Sequence, residues 1–365
     1  MFYKYNKTIF IINNEDNKRI KHFIFGCISL FEYKCGRKKA VQVSFIYPVG
    51  TAGTNSVDYK NNFSFNIIGG LNGGVNGFEF GSVANINQGD VNGCQISGVC
   101  NVTSGNNRGG IVSGVCNMAS GDSKGLVLSG VTNLTKGQSI GVAISGVANV
   151  SDSHNGLQLS TIKFVKNNLY GSQIGVVNYA KKGKGIQIGV VNVCDADDDV
   201  LPIGLFNVVK NGYYAFEVST NELFITSLSY KMGKEKFHTI FRAGIGEHND
   251  KSVFSTGLGF GSIIPIKENH KLNMELICDA LHYDWKWGDN KMNLLNQFNL
   301  NYQYQVTKHL GIKVGPSFKT FVTNQKENGE FASVIKMPHT LFEHSGSKYK
   351  VAGWIGFNAG IVFSL

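Results

Sequence analysis

A four-residue motif, Gly-Val-x-Asn, returns at a fixed interval through the middle of this chain, and no other feature limits the possible folds as strongly. It reads Gly98-Val99-Cys100-Asn101, Gly114-Val115-Cys116-Asn117, Gly130-Val131-Thr132-Asn133 and Gly146-Val147-Ala148-Asn149. An earlier variant ends in Asn85, and later copies end in Asn178, Asn192 and Asn207. From Asn85 to Asn149 the asparagines are 16 residues apart; the last two intervals are 14 and 15, and the gap between Asn149 and Asn178 holds one degenerate copy around Thr161 to Phe164. Nine coils fit the span. A unit that repeats in one orientation every 14 to 16 residues is unsuited to an up-and-down meander, whose successive strands reverse, and suits one coil of a narrow parallel β-solenoid.

Such stacking predicts columns. Asn101, Asn117, Asn133, Asn149, Asn178, Asn192 and Asn207 form an amide ladder in which identical side chains follow one another at about 4.8 Å. Apolar residues before the motif (Ile96, Val112, Leu128, Ile144) and after its asparagine (Val102, Met118, Leu134, Val150) are expected to form aliphatic ladders that fill a thin core. The later copies lack the serine before glycine, so early and late columns need not align. Glycine recurs because a tight coil needs positive φ or close backbone approach at the same place in each turn.

Composition divides the chain further. Of 45 glycines, 27 lie between Gly69 and Gly212, whereas 23 of the 42 aromatic residues follow Gly212. Beyond Tyr213 a period of two replaces the repeat: Phe298, Leu300, Tyr302 and Tyr304 alternate with Gln297, Asn299, Asn301 and Gln303. Comparable stripes run through Phe237 to Ile245, Phe254 to Phe260, Met274 to Ala280, Leu310 to Val314 and Ile355 to Phe363, and with two earlier segments they give about eight strands. The fold class is therefore all-β, a parallel β-solenoid over residues 41–212 followed by an antiparallel β-sheet or small β-barrel over 213–365. Alternation alone does not separate a soluble sheet capping the solenoid from a membrane barrel, because a core-facing and a lipid-facing stripe read alike.

Residues 1–40 carry a net charge of +6, against +1 for 41–212 and +3 for 213–365, so the overall +10 is no sign of a nucleic-acid partner. Lys18, Arg19, Lys21 and His22 precede the apolar run Phe23 to Phe31, a leader-like pattern in which Cys27, after Ile24-Phe25-Gly26, is a candidate lipidated residue. The seven cysteines form no CxxC pair. Cys100 and Cys116 share one repeat position with Ala84, Thr132 and Ala148, which small-residue packing explains better than a disulfide.

In Gly-Ile-Gln-Ile-Gly-Val-Val-Asn-Val (185–193), its neighbouring repeats, and Val43-Ser-Phe-Ile-Tyr-Pro-Val-Gly-Thr, the chain resembles the surface repeat-containing proteins and lipoproteins of spirochaetes and the Bacteroides group. The resemblance covers residues 41–212 closely and the remainder more loosely. It implies a location in the cell envelope, at the outer membrane or cell surface, and brings no catalytic residue or ligand.

Candidate chemistry is sparse. Asp195, Asp197, Asp198 and Asp199 are dense enough to attract calcium, but they occupy a connector and read as a solvated turn. His282 with Asp279 and Asp284, and His339 with His344, are poorly spaced for a metal. Asp90, Asp122 and Asp152 sit in separate connectors without a partner for glycoside chemistry. No nucleophile elbow, phosphate loop or zinc motif occurs. The expectation is a non-enzymatic envelope protein, structural or adhesive, needing no cofactor, with the membrane and a surface ligand or envelope protein as partners. Its rivals are an outer-membrane β-barrel pore or anchor carrying a repeat domain, and a solenoid enzyme acting on polysaccharide.

Overall fold

The computed structural model describes residues 37–195, 199–248, 251–284, 291–327, 330–331, 335 and 339–365. It is a parallel β-solenoid of about nine turns followed by a closed, antiparallel eight-stranded barrel. Two compact units divide after Lys166, inside the strand Ile162–Ile174, whereas the topology changes between Lys210 and Tyr213.

In the first unit each complete coil has a longer strand, a Gly-Val corner, a shorter strand and a polar connector. Val91–Ser97 with Cys100–Thr103, and Asn107–Ser113 with Cys116–Ala119, are examples. Pairing is parallel and in register, so Asn85, Asn101, Asn117, Asn133 and Asn149 succeed one another in a single column. Parallel pairing extends further back than the motif, because Arg37–Ile46 already lies alongside Tyr59–Asn72. The glycines are placed by sterics. Gly109 has φ +129°, and a Cβ there would sit 2.0 Å from the Gly93 carbonyl oxygen of the preceding coil. At the corner, a Cβ on Gly114 would meet the Gly98 oxygen at 1.9 Å, too close for any other residue.

The aliphatic columns do form, but they do not fill the coil. Strand alternation puts Asn101 and Asn117 inside, so the neighbours on either side point outward, and Ile96, Val112, Val102 and Met118 are only partly covered. The interior is mainly amide, hydroxyl and small aliphatic groups, with one apolar cluster of Val75, Val91, Ile111 and Val127. The expected small-residue packing at Cys100 and Cys116 also needs correction, since the two are joined in a disulfide. Stacking in register brings the same position of adjacent coils to a Cα separation of 4.9 Å, within disulfide reach.

The second unit contains the last coils, including Val177–Asp195 paired in parallel with Asp199–Lys210, and then the barrel. Its strands are Tyr213–Asn221, Thr226–Lys234, Phe237–His248, Lys251–Lys267, His270–Tyr283, Asn293–Gln305, Leu310–Thr323 and Lys350–Ser364. Each pairs antiparallel with the next, and the first and last pair with each other, from Ala215 opposite Ser364 to Asn221 opposite Asn358. Closure removes the free sheet edges that an open antiparallel sheet would expose.

Candidate functional site

The distribution of polarity across the barrel wall is the feature most suited to a function. In the strand Asn293–Gln305, Phe298, Leu300, Tyr302 and Tyr304 are 38–43% exposed, while Gln297, Asn299, Asn301 and Gln303 are 0–3% exposed. The same inversion holds on all eight strands: Phe216, Leu228, Ile245, Leu258, Leu276, Ile312 and Ile361 point out. A barrel stabilised by water would be built the other way round, because burying polar groups is unfavourable unless each is paired and burying apolar ones is what drives folding.

The charged side chains inside are paired. Lys313 lies 2.7 Å from Glu217 Oε1 and 2.8 Å from Glu275 Oε2, and Lys231 lies 2.5 Å from Glu217 Oε2 and also bonds Glu275. All four side chains are buried, and the quartet is neutral as a whole. Farther along the lumen, Arg242 donates to Ser227 Oγ at 3.0 Å and lies 3.8 Å from Asp279, which also accepts from Gln297. Lys319 and the Trp354 indole both donate to Glu222 Oε1, at 2.7 and 2.8 Å. Leu223, Phe224, Val253, Leu281, Leu295, Phe321, Ile335 and Trp354 then form an apolar plug at that end. An eight-stranded barrel is just wide enough for its interior to be filled by side chains, and this one is filled.

The solenoid follows the same inside-out rule. Asn101 donates to Asn117 Oδ1 at 2.9 Å and to the Val112 carbonyl at 2.7 Å, and Asn117 repeats this with Asn133 and Leu128. In the second unit Asn178 donates to Asn192, and Asn192 to Asn207. The degenerate copy hides a residue that the spacing did not reveal: Lys163. The Ile162 amide donates to the Val147 carbonyl as the Ala148 amide does to that of Val131, so Lys163 takes the slot after Asn149. It is fully buried, its ammonium donates to the Ser160 carbonyl at 2.5 Å, and burial lowers its pKa to about 8. Glu79 is a second buried charge-bearing group. Asn66 and Asn72 donate to one oxygen and Asn87 and Gln95 to the other, at 2.5–3.1 Å; burial raises its pKa and these amide bonds oppose the rise.

The connector carboxylates are structural. Asp90 Oδ1 accepts from the Asn106 amide, Asn106 Oδ1 from the Asp122 amide, and Asp122 Oδ1 from the Gln138 amide, at 2.8–2.9 Å. Asp90 and Asp122, read in the sequence as partnerless, thus alternate with Asn106 in one column. Asp195 faces Lys210 at 3.9 Å and Asp199 opens the next strand, while Asp197, Asp198 and Cys27 lie outside the described residues. Asp279 and His282 point to opposite sides of the barrel wall. No group of three or more potential ligands for a metal ion occurs among the described residues. No family model, curated protein or solved structure matches the chain.

Proposed function

We propose that this is a non-enzymatic cell-envelope protein whose eight-stranded barrel anchors it in an outer membrane and whose repeat array is a stiff structural or binding element. The single observation that carries the reading is the inverted barrel, apolar on its whole outer circumference and charged within, the arrangement that a bilayer selects. Anchor is favoured over pore, because the lysine–glutamate quartet and the apolar plug occupy the lumen. An enzymatic role finds no support in Glu217 and Glu275, a carboxylate pair engaged by Lys231 and Lys313 rather than open to a substrate.

The two barrel ends differ. Short turns join Lys234 to Phe237 and Lys267 to His270, while the opposite end, besides the short links from Asn221 to Thr226 and from His248 to Lys251, carries the two longest connections, between Tyr283 and Asn293 and between Thr323 and Lys350. Outer-membrane barrels turn their short connections to the periplasm. The last coil sits at that end, since Asn207 bonds Thr239. The repeats near the barrel are therefore assigned to the periplasmic side and the long loops to the exterior. Protease added to intact cells should cut within 324–349 and spare the repeats; cleavage in the repeats with intact loops would reverse the orientation.

A further inference from the structure

We propose that one flank of the solenoid lies against lipid acyl chains. In the first unit the corner residues Val83, Val99, Val115, Val131 and Val147 form a column 40–48% exposed. Flanking columns run in register from Phe80 to Leu159 on one side and from Ile86 to Val150 on the other. None of these positions carries a charge, and six coils at the β spacing make a strip about 24 Å long. Over these six coils the outward charges are confined to the connector side, at Asp90, Asp122, Asp152, Lys136 and Lys166, and to Arg108 and Lys124 beside it.

Three observations favour lipid as the occupant. The coil interior is rich in amides and hydroxyls around one apolar cluster while the corner and flanking aliphatic columns face out, the same tendency as in the barrel, on whose membrane reading this inference rests. Even the corner amides are bonded along the stack: Val115 to Val99, Val131 to Val115 and Val147 to Val131, at 2.9–3.0 Å. These corner amides are thus satisfied within the stack, which is what hydrocarbon demands of backbone groups. Within the second unit the barrel's apolar surface continues onto the last coils. Phe206 stacks on Phe241 at 5.6 Å, and Ile186, Ile188, Val190 and Val208 are exposed beside it. Over these six coils the outward charges nearly balance, so acyl contact there is expected to need no anionic headgroup.

The test is tryptophan quenching by phosphatidylcholine vesicles with brominated acyl chains, into which the full chain is reconstituted. Four variants are read as added emission over the parent: Val131→Trp and Val115→Trp on the flank, Lys136→Trp on the connector side, and Phe298→Trp on the barrel. The account expects blue-shifted, quenched emission from both flank sites and from position 298, and unquenched emission from 136. Quenching at 298 with red, unquenched emission at 115 and 131 overturns the inference and leaves the barrel reading intact. Blue-shifted but unquenched flank emission overturns it in favour of a protein partner or a second copy. Loss of quenching at 298 as well removes the membrane reading on which both rest.

Discussion

Asn207 donates to Thr239 Oγ1 at 3.0 Å, and Thr239 Oγ1 in turn donates to the Gly204 carbonyl at 2.6 Å. The asparagine column, whose members otherwise pass a hydrogen bond to the next coil, thus ends on a barrel strand. Thr239 is the polar member of the otherwise apolar outward stripe Phe237, Phe241, Ala243 and Ile245, and it is fully buried because the last coil covers it. Thr239→Val keeps the shape and leaves the Asn207 amide without one of its acceptors. The expected loss is about 1–3 kcal/mol of stability in a denaturant melt. An unaltered melt would mean that the hydroxyl is dispensable.

Within the array, Asn117→Leu should be costly, because this amide accepts from Asn101 and donates to both Asn133 and the Leu128 carbonyl. Removing it strands partners on both sides, at roughly 1–3 kcal/mol. Met118→Leu, one residue on and outward-facing, is the control and should change the melting temperature little.

Lys163 gives a pH-dependent prediction. With its pKa lowered by burial to about 8, the native state binds fewer protons than the unfolded chain between about pH 8 and the ordinary lysine value of 10.5. The destabilisation is therefore fully present below about pH 8, fades as pH rises toward 10.5 and is absent above it. Lys163→Met should be more stable than the parent at pH 7, with the difference shrinking as pH rises through that window. Lys163→Asn should also stabilise, by giving Asn149 the ladder acceptor that Asn133 finds in Asn149 itself. A pH-independent difference between parent and Lys163→Met would show that the ammonium is solvated.

The lumen quartet predicts strong asymmetry between single and paired changes. Lys313→Met leaves Glu217 and Glu275 with one cation between them, and should cost about 3–5 kcal/mol. Combining it with Glu275→Gln should recover part of the loss. Equal destabilisation by the single and double changes would argue that the charges do not interact.

The period and the strand alternation were legible in the sequence because backbone geometry writes them directly: one asparagine per coil, one apolar residue every second position. The direction of each face was not. Phe298, Leu300, Tyr302 and Tyr304 spell the same stripe whether they face a core or a bilayer, and Val112 beside Asn117 reads as core until closure of the coil turns the asparagine inward. Lys163 escaped notice because a lysine in a degenerate repeat looks like surface, and Glu79 because its four amide partners come from separate segments. The Cys100–Cys116 bond depends on register between coils, which spacing suggested and only stacking fixes.

Placement of the barrel in a bilayer is the central claim, and insertion of the intact chain measures it most directly. Refolded into phospholipid vesicles, the protein should remain with the membrane after alkaline carbonate washing and migrate differently on detergent gels before and after boiling. Leu300→Lys, near the middle of the outward apolar stripe, should weaken insertion by about 2–4 kcal/mol. A parent chain that is monomeric and folded in detergent-free buffer, and is released from vesicles by carbonate, would contradict the account.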